Sequence, residues 1–243
     1  MKKITYIILG IVLVGLSSCY KNDNWPEPDA GISGNIIDSY TGKPLLSSQA
    51  DWSIRIWERS WKESVPVNQN IPVKQDGSYN NSKLFAGTYD MLPYGGPFWA
   101  TDTVKNVVLG ERGKTPTDFT VTPYLRLIGF ESSLQGTNLT LKIRLIAPKR
   151  VGLPNIVEIK PYLSLTEFVG ETNYINIPEY NNKRIQLNKS WLTEVGDKDT
   201  SNVYTIGPLP VKSGYTYNVR VGANVNDANR KYNYSEIKQV VVP

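Results

Sequence analysis

The chain has no histidine, a single cysteine and only two methionines in 243 residues. The first two shortages exclude mechanisms that need an imidazole base, a His-ligated metal or a Cys/His zinc cluster. No dense Lys/Arg stripe occurs either: the formal charge of +5 comes from scattered basic residues, so nothing points to nucleic acid. Nor does any Gly-rich phosphate loop, metal-ligand spacing, heptad or internal repeat stand out, and no pattern assigns a catalytic residue, a metal or a cofactor. What is present leans toward strands and turns, with 15 Tyr, 6 Trp, 19 Gly and 16 Pro. The length suffices for one large domain or two ordinary ones, each with a full core, and the expected class is all-β.

Met1-Lys2-Lys3 is followed by the continuous apolar run Ile4–Leu16. That run is too short to cross a hydrocarbon layer of about 30 Å and reads as the apolar region of a signal peptide. It ends in Leu16-Ser17-Ser18-Cys19, which resembles the bacterial lipobox. The resemblance implies removal of residues 1–18, acylation of Cys19 and attachment to the membrane through lipid. The alternatives are an ordinary signal peptide with an incidental cysteine, or a short buried core segment. Cleavage would also remove Lys2 and Lys3, leaving a hardly basic chain. Residues 19–30 are polar and Pro-rich, a tether from which Trp25 docks on the first domain. Tyr20-Lys21-Asn22-Asp23-Asn24 partly resembles the export signal that sends Bacteroidetes lipoproteins to the outer face of the outer membrane.

From Gly31 the pattern changes. Ile32, Gly34 and Ile36 alternate with polar residues, and residues 38–45 (DSYTGKPL) supply turn chemistry with Gly42 free to take positive φ. Period-two alternation puts Trp52, Ile54 and Ile56 on one face of a strand and Ser53, Arg55 and Trp57 on the other. Residues 75–79 read as a turn leading into a strand, 84–91 as one Gly-interrupted strand, and 104–109 and 119–121 as further strands. These segments fit one sandwich over residues 31–122.

Gly34-x-Ile36-x-Asp38, Thr41-Gly42-x-Pro44-Leu45, Asp76-Gly77-x-Tyr79 and Leu84-x-x-Gly87-x-Tyr89 together resemble the prealbumin-like, carboxypeptidase-regulatory β-sandwich. With the lipobox and Gly95-Gly96-Pro97-Phe98, the chain is similar to a Bacteroidetes lipoprotein family of unknown function. That resemblance implies an association with SusC/SusD-type glycan-uptake complexes. Residues 123–243 hold a second set of strands, at 125–130, 139–146, 156–165 and 203–206. Leu209-Pro210, Tyr217-x-Val219-x-Val221 and the closing strand through Val240–Val242 resemble the end of a fibronectin type III module. In such a module Tyr217 would be the tyrosine corner, its ring in the core and its hydroxyl bonded to backbone. Trp191 is assigned to the core, and residues 226–229 to a hairpin loop.

With imidazole and thiol chemistry gone, catalysis would need a carboxylate pair across a cleft. Glu58, Glu63, Asp76, Asp90, Asp102 and Glu111 are available, each in a turn or at an exposed strand position where a solvated charge is the default. The expected reading is therefore not an enzyme. Sugar binding has a better case, because sugars lay their C–H faces on exposed rings while amides and charged groups hold the hydroxyls. The candidates are Trp57, Trp61 and the loop aromatics Tyr94, Phe98 and Trp99. The alternative is that these rings cap the sandwich or pack against the second domain. Asp102-Thr103-Val104 resembles an O-glycosylation acceptor of secreted Bacteroidetes proteins, with Thr103 modified. The expected partners are a polysaccharide or oligosaccharide, a SusC/SusD-type complex and, through the lipid, the membrane. A structural or adhesive lipoprotein binding another protein is the alternative, and a carboxylate-pair glycan enzyme the third.

Overall fold

The computed structural model describes residues 27–61 and 64–243. Cys19, Trp25 and Glu63, together with the leader and most of the tether, lie outside the described residues. The chain folds as two β-sandwiches in tandem, as the patterning predicts.

In the N-terminal sandwich, β1 (Ala30–Asp38) pairs antiparallel with β4 (Ser78–Leu84) and parallel with β7 (Lys114–Pro116) and β8 (Phe119–Val121). The facing sheet has the order β3 (Asn68–Pro72), β2 (Ser53–Glu58), β5 (Gly87–Tyr94), β6 (Val104–Leu109). Ile32 and Ile36 from one sheet meet Ile54, Ile56 and Met91 from the other, all essentially inaccessible. Each such side chain contributes about 1.5–3 kcal/mol by leaving water. Residues 84–91 are not one interrupted strand. The chain leaves β4 at Leu84, crosses at Phe85-Ala86 to the opposite sheet and resumes at Gly87. A Cβ on Gly87 would stand 2.7 Å from Ser60 Oγ, so the crossover needs a bare backbone there.

Tyr89 and Met91 of β5 oppose Val107 and Val104 of β6, which leaves an extra residue in the outer strand. Asn106 takes φ +60° in that bulge and donates its backbone N–H to Asp90 Oδ1 at 3.1 Å.

The C-terminal sandwich sets β9 (Arg126–Gln135), β10 (Asn138–Ile146) and β13 (Tyr204–Pro210) against a second sheet. That sheet contains β12 (Ile185–Lys189), β11 (Ile156–Ser164) and β14 (Thr216–Val225), with β15 (Tyr232–Tyr234) and β16 (Lys238–Val241) both on β14. Tyr217 is buried, and its hydroxyl accepts a hydrogen bond from the Lys212 backbone N–H at 3.1 Å, the corner geometry expected of this module. Two single-turn helices, α1 (Pro178–Asn181) and α2 (Trp191–Glu194), close gaps at the sandwich rim. Ser190 caps the second by accepting from Thr193 N–H at 3.2 Å, and Trp191 reaches the core with Nε1 donating to the Lys198 carbonyl at 3.2 Å.

Strands β11 and β14 are buried on both faces. One face is the core; the other carries Lys160, Tyr162 and Arg220 beneath residues 165–175 and the N-terminal sandwich. Polar contacts cross that seam. Arg220 Nη2 donates to the Ser47 carbonyl at 2.6 Å, Lys231 meets Asp51 at 2.8 Å, and Ser48 and Thr172 share a hydroxyl contact at 2.7 Å. At the other end, Asn233 bridges the sandwiches, donating to the Pro97 carbonyl at 3.0 Å and accepting from Leu125 N–H at 3.0 Å.

Candidate functional site

The outward face of the β3-β2-β5-β6 sheet is built by register. Ser53 stands opposite Pro72 and Tyr94, Arg55 opposite Asn70 and Leu92, and Trp57 opposite Asn68 and Asp90. Directly opposed residues share a face, so Trp57, Arg55 and Tyr94 form one row flanked by the amides of Asn68 and Asn70. Trp57 is half-buried and Tyr94 is 44% exposed. The Arg55 guanidinium lies 3.5 Å above the centre of the Tyr94 ring. Gly95 then brings the row to the seam, where Asn229 of the β14–β15 loop comes within 3.9 Å of its Cβ position.

The other candidates are dispersed. Trp61 is 46% exposed in the turn after β2, and its ring meets Phe85 at 5.7 Å, not the Trp57 row. Trp99 packs at the seam, its ring 5.3 Å from Tyr124, with Lys149 Nζ 4.4 Å from the ring centre. Phe98 is not displayed at all: it is buried edge-on to Trp52 at 5.1 Å. Its ring passes 2.1 Å from where a Gly96 Cβ would be, so this glycine serves a folded-back aromatic and not a ring-presenting loop. Thr103 is half-buried just before β6, beside an exposed Asp102.

The carboxylates have structural work. Glu58 accepts from the backbone N–H groups of Ser60 (2.6 Å) and Trp61 (3.1 Å), fixing the turn that follows β2. Asp90 accepts from Arg59 Nε at 2.8 Å as well as from Asn106 N–H. Asp76 ties its own turn by accepting from Ser78 N–H and Oγ; burial pushes its carboxyl up, but those bonds and Lys74 outweigh it and hold it low. Asp102 and Glu111 are exposed. Among the described residues no group of three or more metal-ligating side chains comes together.

Burial also shifts groups around the seam. It pulls Arg220 down to about 10, against the raising influence of Tyr234, Tyr162 and Asp51. It pushes the Tyr162 hydroxyl, which donates to Glu171 at 2.7 Å, well above the ordinary phenol value. A groove of about 360 Å³ opens along the seam between Asp38, Lys43, Leu46, Arg126 and Tyr234. Its Arg126 is already neutralised by Asp38 at 2.9 Å.

Arg55, Asn68 and Asn70 are the residues that sequence reasoning did not single out for binding. The Asn68-x-Asn70 spacing on a neighbouring strand carries the signal, but β3 itself is short, polar and preceded by exposed Val65 and Val67.

Two joined β-sandwiches, one with an open aromatic and cationic sheet face, define the class. The chain belongs to the DUF3823 family: residues 30–122 match its N-terminal domain, described as a protein of unknown function, and residues 125–239 match its C-terminal domain of unknown function. A solved structure from Bacteroides uniformis, described as a "putative carbohydrate binding protein", is similar at 22% identity and TM-score 0.74, over 88% of this chain and 99% of that one. DUF3823 family proteins from Bacteroides uniformis (22% identity, TM-score 0.70, 89% and 100% covered) and Parabacteroides merdae (19%, 0.63, 88% and 100%) share the fold. No curated protein matches the chain.

Proposed function

We propose that the protein is a glycan-binding surface lipoprotein, a non-catalytic accessory in polysaccharide capture. The Trp57–Arg55–Tyr94 row carries the reading: two rings and a cation on one open sheet face, with amides beside them, offer stacking and hydroxyl recognition together. The similar Bacteroides uniformis protein described as carbohydrate binding supports it. The Leu16–Cys19 motif supports a lipid anchor, the Tyr20–Asn24 segment supports its placement in the outer membrane, and the resemblance drawn from the sequence supports a partnership with a SusC/SusD-type complex. The carboxylate-pair alternative loses Glu58 and Asp90 to structural bonds. The adhesive alternative draws on Val65 and Val67, each 81% exposed beside the edge strand β3.

The test is affinity electrophoresis of the full chain in detergent against plant, host and microbial polysaccharides, with Trp57→Ala and Trp61→Ala alongside. At least one polymer should retard the protein, and Trp57→Ala should abolish the effect. Free migration in every gel would refute the reading and favour a protein partner. For the anchor, labelling with a radioactive fatty acid should mark the chain and Cys19→Ala should abolish the label; label retained on Cys19→Ala would refute acylation at this position.

A further inference from the structure

We infer that the row takes a segment of an anionic polysaccharide, with an acidic sugar at the stacked Arg55–Tyr94 pair and a neighbouring sugar on Trp57. This deepens the glycan-binding reading and rests on it. Tyr94 stands opposite Ser53, four residues along β2 from Trp57. The strand rise therefore sets the two backbone positions about 13 Å apart along the sheet, with the Arg55 guanidinium at the Tyr94 end. Such a row matches consecutive sugars of an extended chain more closely than one isolated ring.

Arg55 differs from four other cations of the two sandwiches. Arg59 is held by Asp90 at 2.8 Å, Arg126 by Asp38 at 2.9 Å, Lys160 by Glu171 at 2.9 Å and Lys231 by Asp51 at 2.8 Å. The Arg55 guanidinium makes no ion pair or hydrogen bond with any described residue, and its Nε is buried without a hydrogen-bond partner. A guanidinium stripped of part of its water and given no acceptor is unfavourable unless something else supplies one. The Tyr94 ring meanwhile fixes its plane, so the fork is oriented before any ligand arrives. Asn68 and Asn70 beside it bring no negative charge, and the carboxylate on the row, Asp90, is already occupied by Arg59 and Asn106. The uncompensated charge of the face is thus positive. A uronate carboxylate and a sulfate ester both offer the paired oxygens that a guanidinium fork accepts.

The full chain in detergent should be run through gels containing polygalacturonate, dextran sulfate or unmodified dextran, at low and high salt. At least one polyanion should retard it, less so at high salt, while dextran does not. Arg55→Gln should weaken retention about tenfold, the order expected for losing one charge-assisted contact, with Arg55→Lys between the two. Lys142→Gln, which removes an exposed cation on β10 of the other sandwich, should change nothing. Retention by polygalacturonate alone assigns carboxylate, and by dextran sulfate alone sulfate. Equal losses from Arg55→Gln and Lys142→Gln would reduce the effect to general charge and overturn the inference. Binding to a neutral polymer that needs Trp57 but not Arg55 would overturn it while leaving the glycan reading intact. No retention by either polyanion also overturns it, and free migration in every gel of the plant, host and microbial panel as well overturns both. Thermal unfolding of each variant checks that it is folded.

Discussion

Replacing Gly170 by alanine should loosen the seam between the sandwiches. A Cβ there would fall 2.4 Å from Arg220 Nη2, 2.7 Å from Ser48 Oγ and 2.9 Å from Ser48 Cβ. Either Arg220 surrenders the Ser47 carbonyl, or residues 165–175 lift away and break the contact between Ser48 and Thr172. Overpacking a filled site costs about 1–3 kcal/mol, and a lost hydrogen bond from a charged donor about 1.5–3 kcal/mol. Together they remove about 2.5–6 kcal/mol. In a chain of this size each kcal/mol lowers Tm by about 2–4 °C, so a fall of about 10 °C is expected. Calorimetry should also resolve two transitions where the parent shows one, because the lost contacts join the sandwiches. Gly214→Ala is the control: its φ of +81° is also positive, but nothing lies within 4 Å of the new Cβ. It should cost only the backbone term, about 1–2 kcal/mol. If Gly170→Ala melts like Gly214→Ala, in a single transition, the seam does not hold the molecule together as argued.

Among the described residues, eight tyrosines are pushed above the ordinary value of 10.0, chiefly by burial, Tyr89 and Tyr180 to about 12. The folded state then holds protons that the unfolded state releases, so this stabilisation is intact below pH 10.0 and is lost as pH rises through the folded values. Arg220, lowered to about 10, acts oppositely in the same window but is one group against eight. Ultraviolet titration should show steep phenol ionisation together with loss of near-ultraviolet circular dichroism; gradual ionisation with the dichroism intact would contradict it. Separately, Tyr217→Phe keeps the buried ring but strands the Lys212 N–H. It should cost about 1–2 kcal/mol in denaturant unfolding, and an unchanged midpoint would show the corner bond to be idle.

The parts of the fold legible in the sequence are those set by local periodicity. Trp52, Ile54 and Ile56 alternate with Ser53, Arg55 and Trp57, and the faces separate as that spacing requires. Tyr217 and Trp191 also reach the core as read. What stayed hidden depends on contacts distant in sequence. β11 is recognisable as a strand, yet nothing local says that Lys160 and Tyr162 lie under a second sandwich. Phe98 looks like a displayed ring because Gly and Pro surround it, but Gly96 makes room for it to turn inward onto Trp52. For the candidate site, Trp57 and Tyr94 are visible as aromatics. Their alignment through Arg55 requires the register of β2 against β5, which composition does not encode.

The bulge in β6 bears on how neighbouring copies behave. β6 is an outer strand of its sheet, and Val104 and Val108 are 43% and 66% exposed. A flat strand of that character would invite another chain to add to it. Asn106 bends the backbone out of strand geometry, and Asp90 takes up its N–H from within the sheet. An incoming strand therefore meets an interrupted ladder, with Lys105 beside the break. The same aspartate that steadies Arg59 thus acts as a guard against self-association at this border, leaving the sheet open across its face while closing it along β6.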